Sequence, residues 1–214
     1  MDTEQDTQIS ESYDYKFKTI LVGDSGVGKT NILGKFTRNE FYLQSKTTIG
    51  VEMASRILVG EDNKVIKADV WDTAGQEKFL SVTQAYFRNA VGALLVYDIT
   101  KKQTFNDLDK WIKSIRDYSG PQCQIVLVGN KCDMENLRQV EVDEAQQFAE
   151  QNNFSFIETS AYDGTNIEEV FEIIFQEIQD YFMQEGMAVI QNHIEKPHLI
   201  EYKKKLSQQK GCCF

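Results

Sequence analysis

Gly23-Asp24-Ser25-Gly26-Val27-Gly28-Lys29-Thr30 decides how the rest of this 214-residue chain is read. The stretch fits GxxxxGK[ST], a loop whose backbone N–H groups wrap phosphates. It follows the apolar run Ile20-Leu21-Val22, which reads as a buried strand. It precedes Asn31-Ile32-Leu33-Gly34-Lys35-Phe36, whose apolar residues have helical spacing. Strand, glycine-rich turn and helix is the context the motif requires. The glycines admit the phosphates closely, and the helix N-terminus adds unpaired N–H groups with a dipole that favours anions. In this setting Lys29 reaches the β- and γ-phosphates and the Thr30 hydroxyl holds Mg²⁺.

Working outward, the runs Lys16 to Val22, Glu52 to Val59, Lys64 to Trp71, Gly92 to Tyr97, Gln124 to Gly129 and Phe154 to Thr159 read as strands. Gly60-Glu61-Asp62-Asn63 is a hairpin signal between the second and third. Helical patterns separate the later strands. Thr104 to Tyr118 carries Phe105, Leu108, Trp111, Ile112 and Ile115 on one stripe, and Asp143 and Asn166 stand as N-caps of two more helices. Alternating strands and helices predict an α/β fold with a mostly parallel sheet, one antiparallel edge strand, and helices on both faces. Ligands of such sheets bind beyond the carboxyl ends of the strands, where every motif here falls.

Asn130-Lys131-Cys132-Asp133 follows one strand directly. The Asp133 carboxylate only accepts hydrogen bonds, so it suits N1–H and the exocyclic amine of guanine; adenine would oppose a ring acceptor to it. Thr159-Ser160-Ala161 follows the last strand and is placed to supply an N–H to guanine O6. Asp72-Thr73-Ala74-Gly75-Gln76 follows the third. There Asp72 is a carboxylate that supports Mg²⁺ from behind its ligands or through a water, Gly75 offers an unobstructed N–H to a γ-phosphate, and Gln76 can orient an attacking water. Thr48 and Thr47 compete to supply a second Mg²⁺-bound hydroxyl, and spacing does not choose between them. Phe41 is placed to pack against the base.

The set GDSGVGKT, TIG, WDTAGQE, NKCD and ETSA resembles the Ras superfamily of small GTPases, a P-loop NTPase fold. Ile49-Gly50-Val51-Glu52, Tyr86-Phe87-Arg88 and Leu95-Val96-Tyr97-Asp98-Ile99-Thr100 are similar to the Rab branch, and Phe36 to Phe41 and Ala90 to Leu94 to its recycling-endosome and trans-Golgi group. The resemblance implies a six-stranded sheet, GTP/GDP as ligand with Mg²⁺, and Thr48 as the metal ligand beside Thr30 and Asp72. It implies nucleotide contacts from Asp24 through Asn31 (Ser25, Gly26, Val27 and Gly28 included), from Phe41, Tyr42, Leu43, Ser45, Thr48 and Gly75, and from Asn130, Lys131, Asp133, Ser160, Ala161 and Tyr162. Residues 42–48 and 75–83 are the two implied switches. Partners implied are an exchange factor, an activating protein, a GDP dissociation inhibitor or escort protein, and effectors. Met53 and Leu80 depart from the usual Phe and Arg at surfaces that partners read.

The totals bound the rest. A net charge of −10 argues against a nucleic-acid partner. Both histidines, His193 and His198, lie near the C-terminus, so histidine catalysis in the core is excluded. The four cysteines lack zinc-ligand spacing, and no apolar N-terminal signal or spanning run is present. Residues 1–14 read as a disordered leader, 15–184 as the GTPase domain, expected to be monomeric, and 185–214 as a flexible tail. The tail has five lysines against three glutamates, and it ends Gly211-Cys212-Cys213-Phe214. Cys212 and Cys213 resemble the doubly prenylated end of Rabs, which would place the protein on the cytoplasmic face of intracellular membranes. Two other readings compete: a binding module without useful hydrolysis, and an ATP-using P-loop kinase.

Overall fold

The apolar runs become six strands of one sheet, ordered β2-β3-β1-β4-β5-β6. In chain order the elements are β1 (Tyr15–Val22), α1 (Lys29–Arg38), β2 (Val51–Val59), β3 (Val65–Thr73), β4 (Gly92–Asp98), α2 (Lys102–Asn106), α3 (Leu108–Ser119) and β5 (Gln124–Asn130). A 3-10 turn (Cys132–Leu137), α4 (Val142–Asn152), β6 (Ser155–Thr159) and α5 (Ile167–Glu185) complete them. The computed structural model describes residues 13–43, 48, 51–59, 64–73 and 85–185. The Gly60–Asn63 turn, most of both implied switches, residues 1–12 and the tail from 186 lie outside the described residues.

β1 pairs in parallel with β3 and β4, and the parallel order continues through β5 to β6. Only β2 runs antiparallel, at the edge, with Val51 opposite Thr73 and Val59 opposite Val65. The expected mostly parallel sheet is therefore present. All residues of β4 are buried, because alternate side chains enter different cores. Leu94 and Val96 join the core under α1 and α5; Ala93, Leu95 and Tyr97 join the one under α3 and α4. Tight aromatic packing fixes the first face, where the rings of Phe36 and Phe171 stack with centroids 3.7 Å apart.

Local expectations needed correction at several points. The single helix expected over Thr104 to Tyr118 is broken at Asp107, which has φ −86° and ψ 0°. The break lets Phe105 meet Tyr97 and Phe148 while Leu108, Trp111 and Ile115 face the sheet. Asp143 lies inside the first turn of α4 rather than capping it; the N-cap is Glu141. Asn166 does stand at the N-cap position of α5, where its carbonyl accepts Val170 N–H (3.1 Å); at φ 57° its side-chain amide donates to the Glu158 carbonyl (2.8 Å), so it also ties α5 to β6. Asp14, expected in the leader, is bound at the sheet. Its N–H donates to Val65 O (2.7 Å), and its Oδ2 accepts from Val65 N–H (2.8 Å).

Candidate nucleotide site

The turn from β1 into α1 forms the phosphate loop at the carboxyl end of the sheet. Gly23 and Gly28 are required there by space as well as by their positive φ. A Cβ on Gly23 would stand 2.1 Å from Val96 O, and one on Gly28 would stand 2.2 Å from Asn130 Nδ2. Lys29 is buried beneath the loop, where Nζ donates to the carbonyls of Gly23 and Asp24 at 2.8 Å each. Burial pulls its pKa down to about 8, against the opposing pull of Asp72 and Asp24. A bound phosphate would relieve that strain by supplying the missing negative charge.

Three oxygens converge at the next residue, Thr30. Thr30 Oγ1 donates to Asp72 Oδ2 at 2.5 Å and stands 2.9 Å from Thr48 Oγ1, which in turn lies 3.4 Å from Asp72 Oδ2. Asp72 is fully buried and its Oδ1 has no hydrogen-bond partner. Desolvation raises its pKa, opposed by the Thr30 hydrogen bond and the Lys29 charge. A buried, half-satisfied carboxylate beside two hydroxyls is a hard-oxygen donor set that fits Mg²⁺. Among the described residues no group of three or more His, Cys, Asp or Glu side chains could hold a metal. A resident ion would depend on this mixed set.

The base end is built at the ends of β5 and β6. Asn130 Nδ2 donates to Val27 O (2.8 Å), while its Oδ1 accepts from Thr159 Oγ1 (3.2 Å) and Ala161 N–H (3.3 Å). Lys131, at φ 71°, donates to Gly26 O (2.9 Å) and to Asp98 Oδ2 (2.5 Å). Both residues therefore fasten the base end to the phosphate loop. Asp133 Oδ1 accepts from Ser160 Oγ at 2.7 Å, joining the two segments expected to read guanine. The Phe41 ring meets that of Tyr162 edge-on at 5.3 Å, beside the same segment. Asn31 and Tyr42 exchange side-chain-to-backbone bonds of 3.2 and 3.1 Å, which pins the chain leaving α1. Leu43 is 87% exposed.

Ser25 lies exposed on the loop. Thr47, Ser45, Gly75, Gln76, Cys212 and Cys213 lie outside the described residues. Four participants escaped the sequence reading. Asp98 is fully buried and anchors Lys131 and Thr100; a carboxylate closing an apolar strand was the available signal. Trp111 binds Asp24 and was read only as core. Arg138 and Glu158 form a bidentate pair at 2.6 and 2.8 Å, bracing the 3-10 turn that carries Asp133 against β6. Nothing in their spacing marked them as partners.

Residues 18–180 match the model of the Ras family. The GTP-binding protein ypt3 of Schizosaccharomyces pombe is 56% identical over 168 residues, which is 78% of this chain and 78% of that protein. No helix of the described residues is long and apolar enough to cross a membrane.

Proposed function

Because the chain belongs to the Ras family and is a GTPase of the Rab type, we propose that it works as a membrane-anchored GTP/GDP switch in endosomal recycling or exocytic traffic. The observation that carries the nucleotide assignment is the lacing of the base end to the phosphate loop. Asn130 and Lys131 donate to Val27 O and Gly26 O while Asp133 is oriented by Ser160. One rigid unit thus presents an acceptor for the purine at a set distance from the anion cradle. Lys29 holds phosphate oxygens; Thr30, Thr48 and Asp72 would hold Mg²⁺, which would supply positive charge to offset that of the phosphates. Gln76 orients the attacking water, and the γ-phosphate orders residues 42–48 and 75–83.

No arginine of the chain occupies an evident finger position. Intrinsic hydrolysis is therefore expected on the order of 10⁻⁴ to 10⁻² s⁻¹, accelerated by an activating protein. Met53 is 48% exposed and lies opposite Trp71 across the β2–β3 pair, with Tyr86 packed on that indole. This face is where effectors would read the switch, with a flexible thioether in place of the usual ring. Cys212 and Cys213 carry prenyl groups, and the tail lysines add attraction to an anionic leaflet on recycling endosomes or the trans-Golgi.

Single-turnover GTP hydrolysis tests the catalytic assignment. Gln76→Leu should abolish most phosphate release and leave GTP affinity unchanged; equal rates in mutant and parent remove Gln76 from the mechanism. Competition between GTP and ATP tests the ligand. A preference for ATP would return the chain to the kinase reading, and GTP binding without phosphate release to the binding-module reading. For the anchor, a fluorescent fusion should lose its membranes when both terminal cysteines become serine.

A further inference from the structure

Asp24 places a carboxylate in a loop whose ligand is anionic, an arrangement that electrostatics alone disfavours. Its side chain turns away from the cradle. Asp24 Oδ1 accepts the indole N–H of Trp111 at 2.8 Å and lies 3.1 Å from Lys110 Nζ, two consecutive residues of α3. The same ammonium stands 3.1 Å from Asp107 Oδ2, at the break that opens this helix. Trp111 is itself 2% exposed, so α3 offers its donor from a fixed position in the core. The main chain of Asp24 does a second task, since its carbonyl accepts Lys29 Nζ. A single residue thus joins the lysine under the phosphates to a helix on the far side of the loop.

We propose that Asp24 is a positioning residue, clamped by Trp111 and Lys110 so that its peptide unit orients Lys29 and slows nucleotide release. Without the clamp, the first half of the loop would depend on its glycines and on Val96 O packed against Gly23. Glycine-rich backbone has the largest conformational freedom to lose on ordering. Fixing one end of the loop through a carboxylate reduces what nucleotide binding must order. The Lys131 and Asn130 bonds restrain Gly26 and Val27 at the other end. The loop is therefore pinned at both ends by side chains from different strands and helices.

A core tryptophan that merely found a convenient acceptor would affect folding but not the loop, and the two roles separate in a dissociation experiment. The full chain is loaded with a fluorescent GDP analogue and Mg²⁺, then chased with excess GDP, for the parent, Asp24→Ala, Trp111→Phe, Lys110→Met and Asp24→Ala/Trp111→Phe. Ile115→Val, on the same buried stripe of α3 but away from Asp24, reports simple loss of packing. Asp24→Ala should release nucleotide about tenfold faster, which is about 1.4 kcal/mol and close to the lower limit for one charge-assisted hydrogen bond. Trp111→Phe and Lys110→Met should each give part of that increase, and the double mutant should be no faster than Asp24→Ala alone. Preference for guanine over xanthine nucleotide should stay at the parent value in all of them. Multiplying effects in the double mutant would overturn the clamp, as would a Trp111→Phe rate no faster than that of Ile115→Val. The inference rests on the nucleotide reading above. A parent that retains no guanine nucleotide defeats that reading itself, whereas multiplying effects in a parent that does bind defeat only the clamp.

Discussion

The two ends of the cleft are finished to different degrees by the protein alone. At the base end the polar groups already have protein partners: Asn130 spends both its amide donor and its carbonyl, Lys131 has two acceptors, and Asp133 is oriented by Ser160. At the end proposed to hold Mg²⁺ the polar groups are not all satisfied. Asp72 Oδ1 is buried without a partner, and Lys29 is buried with its charge disfavoured. A satisfied network is rigid and can discriminate; an unsatisfied one gains most when the missing charges arrive. On the proposed reading, specificity for the purine is accordingly a property of the fold. The response to phosphate and Mg²⁺ is left for the ligands to complete.

Breaking the finished end should cost most. Asp133→Asn is expected to weaken GTP by up to about ten-thousandfold and to favour xanthine nucleotides, because the amide opposes a donor to the guanine edge. Nucleotide competition measures it, and unchanged GTP affinity would mean the base is not read there. Gly28→Ala attacks the joint between the ends, since its Cβ would meet Asn130 Nδ2 at 2.2 Å with φ at +104°. Affinity for GDP should fall on the order of a thousandfold, as for other severe lesions of about 4 kcal/mol.

The unfinished end should respond to removal of its ion. Excess chelator should speed GDP release on the order of a hundredfold, taking the lost charge-assisted contact as about 3 kcal/mol. Thr30→Ala should abolish the effect of the chelator if that hydroxyl holds the ion. A smaller effect is expected from Arg138→Met, which leaves Glu158 half-buried and unpaired. Losing such a pair costs about 3 kcal/mol, a fall in Tm of roughly 10 °C for a domain of this size. Calorimetry would check this, and no change in Tm would show the brace to be dispensable.

The gentlest probe is pH acting on the nucleotide-free protein. Lys29 has a folded pKa of about 8, below its ordinary value of 10.5. Below about pH 8 both folded and unfolded states hold the proton, and the penalty for burying the charge is constant. Between about 8 and 10.5 only the unfolded state holds it, so stability rises with pH. The stability of the parent relative to Lys29→Met should therefore increase across that window. A flat difference in denaturant midpoints would show that Lys29 is not desolvated.

Much of this site could be read in the residues. The strands were legible because β4 and β5 are continuous apolar runs, as burial on both faces demands. The loop was legible because its glycines answer to steric needs that recur wherever backbone must approach phosphate. From the residues alone, Gly34 is only a cost of about 1 kcal/mol to its helix. In the fold it lets the chain turn back, with Glu40 O at 3.3 Å from where a Cβ would stand and Glu40 N–H bonded to the Gly34 carbonyl at 3.2 Å. The break at Asp107 was hidden because the apolar stripe continues across it in period while the backbone does not.

From its residues alone this protein determined its strand and helix alternation, its phosphate loop and its preference for guanine. Each of these depends on local spacing and on what one side chain can donate or accept. Only the folded chain decided that Lys131 is held by Asp98 and that Asp24 is gripped by α3 across a separation of 87 residues. Contacts of that kind carry no period in the sequence. They exist because parallel strands deliver distant segments to the same edge of one sheet.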